Sequence, residues 1–226
     1  MRTALLFRTL AVAALVVSAQ AVALAQGPLR QVNSFERVSA SGAVNVVLRQ
    51  AAAQEVRVEA RPEVAARVRT EVANGTLRIY REPGNSWGSS MTRSKDDQVT
   101  VYVTAPAFTG VEVSGASDLK ASSPIQADKF SIRVSGASDV TLQLNAQSLL
   151  ANASGASDIR LTGQVAQQEV QVSGSSDYRA YELKSQKATV QASGASDAYV
   201  YVDGNLQARS SGASDVHYKG RARVAQ

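Results

Sequence analysis

The 226-residue chain has no cysteine, 44% hydrophobic and only 5% aromatic residues, and 24 Lys+Arg against 19 Asp+Glu, a formal net charge of +5. The apolar share excludes disorder by composition, the missing cysteine excludes a disulfide scaffold, a thiolate metal site and a thiol nucleophile, and a single histidine, His217, excludes a His-rich metal centre. The length suits one large or two small domains.

At the N-terminus, Arg2 and Arg8 flank the start of an apolar stretch from about Thr9 to Leu24, and Ala23-Leu24-Ala25 offers small residues at a cleavage site. This reads as a signal peptide, residues 1–25, rather than an anchor, because the apolar run is shorter than the ~20 residues that span a bilayer. Its removal leaves 22 basic and 19 acidic residues, a net +3. The product is expected to be exported to the periplasm, cell surface or medium, and not to span the membrane.

Residues 26–110 read as an irregular β-rich part. Val38-Ser-Ala-Ser41-Gly42-Ala43-Val44-Asn45-Val46 is a degenerate form of a motif repeated further on, with Val44 and Asn45 in place of Ser and Asp. A strand follows over Glu55 to Ala60, and Pro62 ahead of Glu63-Val64-Ala65-Ala66 predicts a short helix with proline in its first turn. Asn74-Gly75 between two alternating runs predicts a hairpin. Pro83 to Asp97, with Gly84, Gly88 and several serines, predicts a long polar loop, and a strand over Val99 to Thr104 leads into the regular array.

From residue 111 onward Ser-Gly-Ala-Ser-Asp begins at Ser114, Ser135, Ser154, Ser193 and Ser211, with a variant, Ser-Gly-Ser-Ser-Asp, at Ser173. The glycines at 115, 136, 155, 174, 194 and 212 recur about every 19 residues. Alternation flanks each copy, as in Phe130-Ser-Ile132-Arg-Val134 and Val140-Thr-Leu142-Gln-Leu144, which predicts half-buried strands. Continued through the motif, the parity puts Gly136 and Ser138 on the buried face, and likewise Gly115 with Ser117 and Gly174 with Ser176. One such unit cannot bury its apolar side alone, whereas stacked copies can. A 19-residue coil suits an all-β parallel β-solenoid rising about 4.8 Å per turn; a propeller blade needs about twice that length, and the leucine-rich signature is absent.

Phe35-Glu36-Arg37-Val38 with Gly42-Ala43-Val44-Asn45-Val46, then Asn74-Gly75-Thr76-Leu77-Arg78-Ile79, then the motif array and Tyr218-Lys219-Gly220 occur in an order that resembles the family called putative autotransporter adhesin, head GIN domain. The resemblance implies a right-handed β-helix-like fold, one continuous domain over 26–226, and an envelope or surface location. It supplies no catalytic residues. Only eight residues follow Tyr218, too few for an outer-membrane barrel, so self-secretion is not expected.

Stacking turns the motif's last residue into a carboxylate column: Asp118, Asp139, Asp158, Asp177, Asp197 and Asp215. Charges ~4.8 Å apart repel by about 1 kcal/mol in water, which leaves two readings. Ca²⁺ would suit the hard oxygen ligands. Alternatively each Asp bonds backbone N–H groups, helped by Lys120, Arg160, Arg179 or His217 two residues on; the missing doubled glycine and Asp spacing of Ca²⁺-binding rolls favour this, and no cofactor is expected. The corner glycines, Gly115, Gly136, Gly155, Gly174, Gly194 and Gly212, are read as structural, needing positive φ or close backbone approach.

Tyr181, Tyr199 and Tyr201, on the outward parity beside Arg179, can form a face for a glycan or protein ligand or be exposed strand residues. Trp87 in the long loop is either a further contact or an end cap. No enzyme is expected: carboxylates lie one per turn rather than in a catalytic group, and the single histidine, His217, sits in the last turn. Residues 111–226 hold 11 basic and 11 acidic residues, so no nucleic acid is expected. The leading expectation is an adhesion-type or ligand-binding envelope module; self-association into a homo-oligomer through the solenoid ends is the alternative, ahead of a carbohydrate-active enzyme.

Overall fold

The computed structural model describes residues 28–82 and 98–225. The predicted signal peptide and the Pro83 to Asp97 loop, including Trp87, therefore lie outside the described residues. In chain order the elements are β1 (Leu29–Arg30), β2 (Arg37–Ser41), β3 (Asn45–Gln50), β4 (Glu55–Glu59), α1 (Pro62–Ala65), β5 (Val68–Ala73) and β6 (Thr76–Arg81). Then come β7 (Thr100–Ala105), β8 (Gly110–Val113), β9 (Asp118–Ala121), β10 (Ile125–Val134), β11 (Asp139–Ala153) and β12 (Asp158–Val172), followed by β13 (Asp177–Gly194), β14 (Asp197–Gly212), β15 (Asp215–Lys219) and β16 (Arg223–Ala225).

The repeat region is the parallel β-solenoid that the spacing predicts. Each turn pairs in parallel with the next and the motif stays in register, so that Asp118, Asp139, Asp158, Asp177, Asp197 and Asp215 are successive partners. Alternate residues point inward: Ile132, Ala151, Val170 and Val190 form one column and Val140, Ile159, Tyr178 and Ala198 another, all fully buried. Each buried Val, Ile or Leu contributes about 1.5–3 kcal/mol over its exposed state, which is available only because a neighbouring turn covers it.

The N-terminal part joins the same stack in an order that differs from the sequence. The coil formed by β2 and β3, with Gly42 at its corner, lies directly beneath β8 and β9. Its other side is occupied by β6 and β7, which run parallel to β2 and β3. The chain thus builds the second layer first, places β6 and β7 below it, and lies above it again at Gly110. Three antiparallel strands finish that lower end: β5 pairs with β6, β4 with β7, and β1 with β4. The hairpin between β5 and β6 turns on Asn74 and Gly75, whose φ values of 51° and 70° are those a two-residue turn of this type requires. Helix α1 opens with Pro62 and buries Val64 and Ala65. At the opposite end, β15 and β16 pair, among the described residues, on one side only, with β14.

Candidate functional site

The five-residue motif resolves into three separate jobs. The six corner glycines have φ between 79° and 85°, in the region that disfavours any residue with a Cβ. Their carbonyls accept the next turn's corner amide: Ala137 N–H donates to Gly115 O at 2.9 Å, Ala156 to Gly136 at 2.8 Å and Ser175 to Gly155 at 2.7 Å. A Cβ on Gly136, Gly155 or Gly174 would sit 2.5–2.6 Å from the carbonyl oxygen of the glycine below. The glycines are exposed, so the inward parity expected for Gly115, Gly136 and Gly174 does not hold. A left-handed residue does not make the half-turn per residue that alternation assumes, and the serine two places on is the next to return inside.

That serine is fully buried at positions 117, 138, 157, 176 and 196. Ser157 Oγ–H donates to Ser154 O at 2.9 Å, and Ser157 N–H donates to Ser176 Oγ of the next turn at 3.2 Å. Ser196 and Ser214 make the same bond to the carbonyl three residues back. The hydroxyl therefore satisfies corner groups that the strand ladder leaves free.

Outside, Asp139 and Asp197 reach along the stack. Asp158 N–H donates to Asp139 Oδ1 at 3.3 Å and Asp215 N–H to Asp197 Oδ1 at 3.2 Å. Burial, and secondarily the Asp139 carboxylate, raise the Asp118 carboxyl above its ordinary range, while the Asp139 N–H acts against them. Of the cations expected two residues on, Arg179 closes an ion pair, at 2.6 Å to Asp177 and 3.8 Å to Asp158. At the last turns Asp197, Asp215 and His217 each bring one ligand atom within 4.8 Å of the others, although Asp197 already accepts from Asp215 N–H and from Tyr199 OH at 3.3 Å.

Tyr181 and Tyr199 meet edge to face with ring centroids 5.3 Å apart, and Tyr199 stacks on His217 at 4.8 Å with 14° between planes. Lys219 Nζ lies 4.2 Å from the Tyr181 ring centroid. Arg179 is the strand partner of Tyr199. Tyr201 stands apart from the ring contacts, and its carbonyl accepts from Ser185 Oγ at 2.7 Å. Burial, then the Asp197 carboxylate, raise the Tyr199 phenol, which stays a neutral donor near pH 7. His217 and Lys219 complete this face and were not assigned to it from the sequence. The signal was available, since 199 and 217 occupy the same position two residues after the motif aspartate.

A second feature escaped the sequence reading. At the next bend of the coil Gln126, Asn145 and Gln164 stack in register and line a groove with Gln147 and Gln186. Its trace in the sequence is an amide every 19 residues, hidden among many other polar positions.

These features define an all-β solenoid with an outward aromatic and carboxylate face. The chain belongs to the family described as putative auto-transporter adhesin, head GIN domain, whose model matches residues 34–222. Its fold is similar to that of a putative adhesin from Bacteroides fragilis, at 19% identity and a TM-score of 0.80 over 87% of this chain and 89% of that one. A putative adhesin from Parabacteroides distasonis is similar at 20% identity and a TM-score of 0.67, over 88% and 93% of the two chains. A putative lipid binding protein from the same species is similar at 18% and 0.63, over 88% and 90%. No curated protein matches the chain.

Proposed function

We propose that the chain is an exported, non-enzymatic binding module of the bacterial envelope that contacts a glycan or protein ligand through the outward face of its last turns. The observation that carries this reading is the outward ladder of half-buried Tyr181 and Tyr199 and exposed His217, with Lys219 over the Tyr181 ring. Aromatic faces give contact area at little loss of side-chain freedom, and a cation beside them adds a charged handle. Here they stand on a hydrogen-bonded stack that fixes their spacing before any ligand arrives, which lowers the ordering cost of binding. Membership of an adhesin-type family supports an exported or surface setting. The carboxylates are spread one per turn, with Asp139 and Asp197 accepting from backbone amides and Asp177 paired with Arg179, which supports a structural rather than a catalytic role for the column.

Glycan and protein arrays probed with the purified protein test the reading. Binding that falls at least tenfold in the Tyr181→Ala/Tyr199→Ala double variant, with the melting temperature little changed, is the expected result. Arrays without any ligand, or binding indifferent to both tyrosines, would remove the proposed face.

A further inference from the structure

The two ends of the solenoid differ. The lower end is finished by antiparallel strands, whereas at the upper end no further strand among the described residues covers the inner columns. Val200 and Leu206 are fully buried, but their partners one turn up, Tyr218 and Val224, are 49% and 46% exposed. Strand β15 has one partner among the described residues, so a row of backbone donors and acceptors faces outward beside uncovered apolar side chains. Such an edge is a template for a further strand.

The edge sequence selects the occupant. Residues 215–219 read Asp-Val-His-Tyr-Lys. Paired antiparallel with a second copy of itself about His217, the strand sets Asp215 against Lys219 of the copy, Val216 against Tyr218, and His217 against His217. Both ends of the pairing then carry opposite charges, and the apolar side chains of each copy cover the open core of the other. A parallel addition would instead extend the carboxylate column. The edge strands of the lower end, β5 and β1, are antiparallel additions to the stack, so head-to-tail contact would not continue the parallel ladder, which disfavours such growth. We infer that two copies of this chain join upper end to upper end as a two-fold symmetric dimer through β15. This arrangement is isologous and closes on itself. It places the two Tyr181–Tyr199–His217 ladders on one continuous face, although the inference stands whether or not that face binds a ligand.

Sedimentation velocity of the purified protein over a wide concentration range is the test. A reversible dimer is expected. Asp215→Lys alone and Lys219→Asp alone each put like charges at both ends of the pairing and weaken the dimer about tenfold or more. An equimolar mixture of the two variants restores opposite charges at both ends and gives a heterodimer, as does the double exchange Asp215→Lys/Lys219→Asp with itself. Circular dichroism of each variant checks that the fold is kept, and the mixing experiment separates lost pairing from lost folding. A wild-type protein that is strictly monomeric at high concentration overturns the inference, the edge charges then acting to repel strands. A dimer insensitive to both charge reversals, or association that continues to longer assemblies, overturns it too.

Discussion

A residue that looks interchangeable among fifteen glycines becomes distinct once its surroundings are known. Gly155 has φ of 84° and a Cβ there would lie 2.6 Å from a backbone carbonyl oxygen. Gly75 also has positive φ, 70°, yet nothing lies within 4 Å of its added Cβ. Gly155→Ala must therefore bear conformational strain and also push apart two hydrogen-bonded turns, whereas Gly75→Ala bears strain alone. Chemical denaturation is expected to show a loss of about 1 kcal/mol for Gly75→Ala and about 3 kcal/mol or more for Gly155→Ala. The aspartates allow a similar separation of roles. Because Asp118 is raised above its unfolded value, it favours the fold most at acid pH, below the unfolded value, and that contribution is lost as pH rises. Asp118→Asn keeps an oxygen for the Asp139 N–H and removes the charge, so its melting temperature at pH 7 should equal or exceed that of the parent, while Asp118→Ala should melt lower. If the column serves the backbone, chelator leaves the melting curve unmoved and Ca²⁺ titration gives no heat; a clear shift with either would reverse that assignment.

At the scale of the element, alternation and motif spacing made the strands of the array legible, because an inward valine and an outward glutamine report the same pleat from opposite sides. The hairpin at Asn74-Gly75 and the proline-led helix were legible for equally local reasons. Burial at the corners was not, since φ near 80° breaks the period on which the inference rested. Nor was the buried network inside β12 and β13, where a rare large polar residue replaces an aliphatic one. Tyr178 OH donates to Gln168 Oε1 at 2.8 Å, Gln168 Nε2 donates to Ser185 Oγ at 2.9 Å, and Ser185 passes the chain on to Tyr201 O. Tyr178→Phe leaves a buried amide oxygen without its donor and is expected to cost about 1–2 kcal/mol. Burial also raises the Tyr178 phenol far above its ordinary range. Below about pH 10 the phenol is protonated in folded and unfolded chains alike and its full contribution is present. Above that, the unfolded chain ionises and the folded one does not, so stability falls as pH rises. Melting curves from pH 8 to 11.5 should show this alkaline loss in the parent and a smaller one in Tyr178→Phe.

For the whole molecule, the solenoid class followed from the repeat, but the placement of the first coil did not. Nothing in the local pattern of residues 37–50 says that its lower neighbours, β6 and β7, come later in the chain, because register between layers is set by contacts between distant residues. The aromatic face was half legible for a related reason. Tyr181 meets Tyr199 across an irregularity in the pairing of β13 with β14, between Ala180 and Lys184, which simple counting cannot foresee.

That displaced layer also sets a timetable. The coil at 37–50 cannot be clasped on either side when it emerges, since its lower neighbour ends at Ala105 and its upper neighbour at Ala121. Roughly the first half of the chain must therefore be assembled in one concerted step, with a large loop-closure penalty. Beyond Ala121 each further coil lands on a finished template and needs only its own 19 or so residues, so growth becomes stepwise. Chains cut after Val172 should accordingly fold and melt cooperatively, and chains cut after Ala105 should not, as circular dichroism of a truncation series would reveal. In the monomer, at concentrations below those at which the inferred dimer forms, amide hydrogen exchange should rise turn by turn toward β15, making the last coil both the latest to arrive and the first to leave.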